Sequence, residues 1–174
     1  HYEGLDIARR RLIFDELFTL TCGMALLKEG RSRAGGRVLT GKRADFEALL
    51  PFAPTGAQRR AMKEISADLA SGRLMNRLVQ GDVGSGKTVV AALAALQAVD
   101  NGYQAAIMAP TEILAEQHYA NFQQWLDPMG INVGWLSGKV KGKQRRESLA
   151  AIADGSAQIV VGTHALFQDE VLFH

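Results

Sequence analysis

Residues 81–88 read Gly-Asp-Val-Gly-Ser-Gly-Lys-Thr, and no other stretch of the chain restricts its fold as severely. The string matches G-x-x-x-x-G-K-[S/T] in full, a spacing in which glycines let consecutive backbone N–H groups converge on one point. Such a loop needs a strand running in and a helix running out, because the helix N-terminus supplies partial positive charge to an anion. Both flanks fit: residues 77–80 predict a short strand with an apolar centre, and residues 87–99, rich in Ala, Leu and Val, predict a helix. The motif therefore predicts a nucleoside triphosphate cradle. Gly81, Asp82, Val83, Gly84, Ser85 and Gly86 wrap the phosphates, Lys87 charges the β- and γ-phosphates, and the Thr88 hydroxyl is a magnesium ligand. Lys87 and Thr88 are the candidate catalytic residues.

The remaining periodicities extend this into a sheet. Residues 105–109, 131–136 and 158–161 predict strands, and residues 111–126 and 143–153 predict the helices between them. Strands that alternate with helices of this length imply crossover connections and a parallel sheet, hence a three-layer α/β domain of the P-loop, RecA-like type. Upstream, apolar residues from Leu5 to about Glu29 recur at spacings of three or four and predict a long helix. Residues 30–36 predict a flexible basic connector, residues 44–50 one or two helical turns, and residues 56–71 a further helix. Pro51 and Pro54 suggest a boundary, giving residues 1–50 as a helical linker segment and residues 51–174 as part of the RecA-like domain.

Composition excludes several classes. No apolar run approaches the ~20 residues of a membrane-spanning helix, and the N-terminal residues lack the apolar region of a secretory signal. The single cysteine, Cys22, cannot form an internal disulfide and reads as a small buried hydrophobe, which fits the cytoplasm. His118 and His164 stand apart from any Cys/His cluster, so a metal site built from protein ligands alone is not expected. The net charge of +2 is small, but its distribution is uneven. Arg31, Arg33, Arg37, Lys42 and Arg43 form one acid-free basic run, and Lys139, Lys141, Lys143, Arg145 and Arg146 form another. Each reads either as a solvated face or as a track for a phosphate backbone.

Three segments just past strand ends sharpen that choice, since open α/β sheets hold ligands there. They are Pro110-Thr111, Ser137-Gly138 beside Lys139, and Gly162-Thr163-His164. Each threonine alone reads as a helix N-cap, whereas repetition along one sheet edge favours a nucleic-acid backbone. No N-K-x-D guanine reader occurs, and Asp127-Pro128-Met129-Gly130 sits at a helix end as a turn. A small-molecule kinase would not account for the three segments.

The strings QGDVGSGKTVVAALAAL (80–96), MAPTEILAEQH (108–118) and VVGTHAL (160–166) resemble the superfamily 2 DNA motors, and among them the branch-migration helicases. The segment PTGAQRRAMKEI (54–65) is similar to the adenine-reading segment of that family, and residues 10–20 to the helix that joins its DNA-binding wedge domain to the motor. The resemblance implies ATP and magnesium as cofactors, with Gln58 reading the adenine. Phe52 is either a stacking partner near the base or a plain hydrophobic anchor. It also implies DNA contacts at Pro110, Thr111, Gly138, Lys139, Gly162, Thr163 and His164. The implied parent is a monomeric ATP-dependent DNA helicase that remodels forks and Holliday junctions in recombination and repair, contacting double- and single-stranded arms. The family's acidic Mg-holding pair is expected beyond His174. Asp169-Glu170 follows the Thr163 segment too closely for a new strand, so it reads as a solvated turn. The second motor domain is also absent, so nucleotide binding without efficient hydrolysis is expected of this chain alone.

Overall fold

The structure is a computed structural model that describes residues 2–32, 35–41 and 44–174, with side chains described for residues 4–27, 35–41 and 46–174. The first helix, α1 (Tyr2–Ser32), runs straight through Gly30, so the expected connector begins later than its glycine suggests. Arg33, Lys42 and Arg43, and the side chain of Arg31, lie outside the described residues. Leu12, Leu17, Leu20 and Met24 remain exposed along α1, and Cys22 is half-buried rather than enclosed.

Residues 35–39 are pinned to residues 69–73. Gly35 bridges Arg73, the Gly36 N–H donates to the Gly72 carbonyl, and the Leu39 N–H donates to the Leu69 carbonyl. The flexible connector expected over 30–36 is therefore anchored at its glycine end. Helix α2 (Ala44–Leu49) comes next, and Phe46 and Leu50 join the main core.

Helix α3 (Gly56–Ala70) starts at Thr55, whose hydroxyl accepts from the Gln58 N–H while the Gln58 side chain accepts from the Thr55 N–H, a closed capping box. Helix α4 (Lys87–Asp100) packs beside α3 and against β1 (Ala105–Met108). Then come α5 (Glu112–Leu126), a 3-10 turn at 127–129, β2 (Val133–Leu136), α6 (Gly142–Ala153) and β3 (Ile159–Gly162). The strands form a parallel sheet in the order β1-β3-β2.

Strand β3 is central, and its side chains alternate between two cores. Ile159 and Val161 pack with Phe122, Leu126, Leu96 and Met62 on the face of α3, α4 and α5. Val160 packs with Leu136, Ile152 and Leu166 on the face of α6. Strand residues pointing alternately up and down thus fill both outer layers, which gives the three-layer α/β arrangement.

The strand expected at 77–80 is not formed. The segment has no ladder partner among the described residues, and Leu78 is 85% exposed. Ion pairs hold it instead: Arg77 meets Glu64 and Asp68 of α3, each at 2.7 Å, and these carboxylates raise its pKa.

Candidate functional site

Gly86 caps α4 with φ of +77°, a left-handed conformation that a side chain disfavours. A Cβ there would also overlap the Gln58 amide nitrogen. With no side-chain cap, the first N–H groups of α4 are left open to a ligand's oxygens. The Lys87 ammonium folds back into the loop, donating to the Gly81 carbonyl at 2.6 Å and the Asp82 carbonyl at 2.7 Å. A phosphate entering the loop would compete with these carbonyls for the same protons. Asp82 and Ser85 close a turn through a 3.1 Å backbone bond, with Val83 fully exposed at its apex and Gly84 at φ of +81°. Thr88 is half-buried one residue into the helix. The open backbone donors, the lysine and the hydroxyl are a donor set suited to a triphosphate with its magnesium.

Gln58 is brought to this loop across α3. Its amide nitrogen donates to the Ser85 carbonyl at 2.8 Å, and its oxygen accepts from Thr55 at 2.7 Å. Both ends of the amide are therefore engaged, one of them on the phosphate loop. Phe52 is 43% exposed.

The second cluster is set by strand register. Met108, Gly162 and Leu136 lie side by side, so the loops that leave the C-terminal ends of all three strands share one edge of the sheet. Gly162 is required there because a Cβ would overlap the Leu136 carbonyl oxygen. Pro110, Thr111, Gly138, Lys139 and His164 are exposed on that edge, whereas Gly162 and Thr163 are buried. The Thr111 hydroxyl caps α5 through Leu114, at 3.4 Å. Thr163 begins a 3-10 turn without a side-chain cap.

The basic run 139–146 is less free than its sequence suggests. Lys139 pairs with Glu112, Lys143 with Glu147 at 3.6 Å, and Arg145 with Glu170 while also donating to Gln168 at 2.7 Å. Lys141 and Arg146 make no such ion pair among the described residues. The hydrogen bond from Lys139, then its charge, hold the Glu112 carboxyl below the usual carboxylate range against the opposing effect of burial. Smaller contributions come from the Ser137 hydroxyl and the Lys139 backbone. Glu112 in turn raises the Lys139 pKa. Asp169-Glu170 lies in an exposed turn, with Glu170 tied to α6 through Arg145. No group of three or more His, Cys, Asp or Glu that could hold a metal occurs among the described residues. No helix among them is long and apolar enough to cross a membrane.

The chain is similar to known proteins. The profile of DEAD/DEAH box helicases matches residues 55–173. The chain is 55% identical to the ATP-dependent DNA helicase RecG of Haemophilus influenzae (strain ATCC 51907 / DSM 11121 / KW20 / Rd), over 98% of its own length and 25% of that protein. It is 46% identical to the protein of the same name from Bacillus subtilis (strain 168), over 98% of its own length and 26% of that protein. The chain thus spans about a quarter of the curated relatives it matches. A solved structure described as RecG bound to a three-way DNA junction superposes with a TM-score of 0.83 at 40% identity, covering 99% of this chain and 24% of that one.

Proposed function

The chain belongs to the DEAD/DEAH box helicase family, and from that premise we propose that it is the ATP-holding part of a motor that remodels branched DNA. One observation carries the reading. A complete phosphate loop opens α4, and the sheet against which α4 packs sends three loops, at Thr111, Gly138 and Thr163, off one edge. Nucleotide and nucleic acid are thereby offered separate surfaces of one packed α/β unit.

In this proposal Gly81 to Gly86 wrap the phosphates through backbone N–H groups, and Lys87 leaves the Gly81 and Asp82 carbonyls for the β- and γ-oxygens. The Thr88 hydroxyl would be this chain's ligand to magnesium, which when bound would supply charge neutralisation at those phosphates. Gln58 reads the adenine edge from its seat on Ser85, so base recognition and loop position are joined through one side chain. Pro110, Thr111, Gly138, Lys139, Gly162, Thr163 and His164 form the DNA side, with Lys141 and Arg146 beside them. Residues 1–50 form the joining segment, and residues 51–174 form part of motor domain one. Cleft closure against a second motor domain would move the two and step the protein along duplex arms. The parent acts as a cytoplasmic monomer on forks and Holliday junctions in recombination and repair. The similar structure bound to a three-way junction supports a branched substrate.

Hydrolysis needs a carboxylate to orient water and hold magnesium. Asp169-Glu170 is not read as that pair, because it lies in an exposed turn with Glu170 bound to Arg145. The 174 residues therefore bind ATP without turning it over. Equilibrium binding of a fluorescent ATP analogue, alongside phosphate release, tests this. Binding that requires Lys87 with no steady release is expected, and steady Lys87-dependent release would overturn it.

A further inference from the structure

Lys139 is the first cation of the basic run, yet its ammonium is held by Glu112, the first residue of α5. The pair joins two loops that are not neighbours in the sheet. Glu112 stands just past the β1 loop that carries Pro110 and Thr111, and Lys139 just past the Gly138 of the β2 loop, with β3 lying between the two strands. The Glu112 side chain is 23% exposed and that of Lys139 is 79% exposed, so the acid is the seated partner and the lysine reaches over to it. Ser137 is buried beneath this loop, and its hydroxyl accepts from the Lys139 N–H at 3.4 Å, which fixes the turn from which Lys139 projects. A further acid, Glu116, lies one turn along α5 and also acts on Lys139.

We infer that Glu112 is a positioning residue, clamping the Thr111 and Gly138 loops at the spacing a nucleic-acid backbone requires, and that Lys139 serves as the other jaw rather than as a phosphate cation. The inference rests on the DNA-interface reading of that sheet edge. A loop that must meet successive phosphates gains from being held in place beforehand, because ordering it on binding weakens affinity. Lys141 and Arg146, which pair with no acid among the described residues, are then the cations of this run that displace counterions from DNA.

The two roles of Lys139 predict opposite signs for Glu112→Gln. If Glu112 merely masks a phosphate-binding lysine, its neutralisation frees a cation. DNA binding then tightens, and the salt dependence steepens by about 0.9 in log K against log salt. If Glu112 is a clamp, the same substitution loosens the loops, and binding weakens by about three- to tenfold although a negative charge has been removed.

Fluorescence anisotropy with a fluorescein-labelled DNA duplex, measured across a salt series, separates these for the wild type, E112Q, K139Q, the E112Q/K139Q double variant and a K141Q/R146Q control. The clamp predicts that E112Q and K139Q each weaken binding, that the double variant is no weaker than E112Q alone, and that affinity for the fluorescent ATP analogue is unchanged in E112Q. Unchanged or tighter binding by E112Q overturns it, as does a double variant whose losses add. Should E112Q also lose nucleotide affinity through misfolding, the salt slope of K139Q, altered at an exposed side chain, decides: an unchanged slope upholds the clamp, and a slope lower by about 0.9 overturns it. The control reports on the underlying interface. A salt slope lower by about 1.8 in K141Q/R146Q upholds the DNA surface independently of Glu112. A wild-type chain that binds no duplex overturns both.

Discussion

Gly86→Ala tests how tightly the phosphate loop and Gln58 are joined. The substitution imposes a Cβ on a residue at φ of +77°, which costs about 1–2 kcal/mol. The same Cβ would occupy the place of the Gln58 amide nitrogen. That atom ends a flexible side chain, so Gln58 swings away and its bond to the Ser85 carbonyl breaks, at a further ~0.5–1.5 kcal/mol. The expected destabilisation of G86A is therefore about 1.5–3.5 kcal/mol. Gln58→Ala alone removes that bond and half of the Thr55 capping box, for about 1–2 kcal/mol. In the double variant the clash has already gone, so the bond to Ser85 is not lost twice. The double should fall about 1 kcal/mol short of the sum of the singles. Urea denaturation of the four proteins, compared at equal m-values, reads this directly. Additivity within about 0.5 kcal/mol would show that the two residues do not meet as described.

Lys87→Ala should weaken ATP binding by about tenfold to a hundredfold, since charge-assisted bonds to phosphate are each worth about 1.5–3 kcal/mol; isothermal calorimetry checks it, and a change under threefold would remove Lys87 from the phosphates. Phe46→Ala, at a fully buried side chain, should cost about 3–5 kcal/mol by chemical denaturation, and a cost below 1 kcal/mol would mean that α2 does not belong to the core. The Glu112–Lys139 pair should confer stability bounded on both sides of neutrality. Folded Glu112 titrates lower than its ordinary 4.5, so its contribution is full above that value and is lost as pH falls through the folded one. Folded Lys139 titrates above its ordinary 10.5, so its contribution is full below that value and is lost as pH rises through the folded one. The difference in thermal midpoint between the wild type and E112Q should stay flat between about pH 6 and 9 and narrow at both extremes. A difference that varies within that window would contradict the pairing.

Much of the layer order is legible in the sequence because helix and strand periods are local. The phosphate loop, the helix behind it and the three paired strands all lie within a few residues of their expected positions. Residues 77–80 show where local pattern stops being sufficient. Their apolar centre suits a strand, but a strand also needs a ladder partner, and Arg77 is instead anchored to acids on α3. The basic run 139–146 carries the same lesson for charge. It contains no acid, yet topology delivers Glu112 and Glu170 to it from far along the chain. The docking of residues 35–41 is harder to read, because their partners lie some thirty to sixty residues away, although one signal is present. Gln97 interrupts the Ala, Leu and Val run of α4 and Asn101 caps its C-terminus, and their amides donate to the Leu39 and Thr40 carbonyls at 2.6 and 2.8 Å.

If Gly81–Thr88 is the ATP site of a DNA motor, its nucleotide turnover must be coupled to DNA. The most direct measurement is the steady ATP hydrolysis rate of the full-length protein that contains this chain, with and without a three-way DNA junction. The expected rate is raised severalfold by the junction and abolished in both conditions by Lys87→Ala. A rate indifferent to DNA, or one that survives Lys87→Ala, would contradict it.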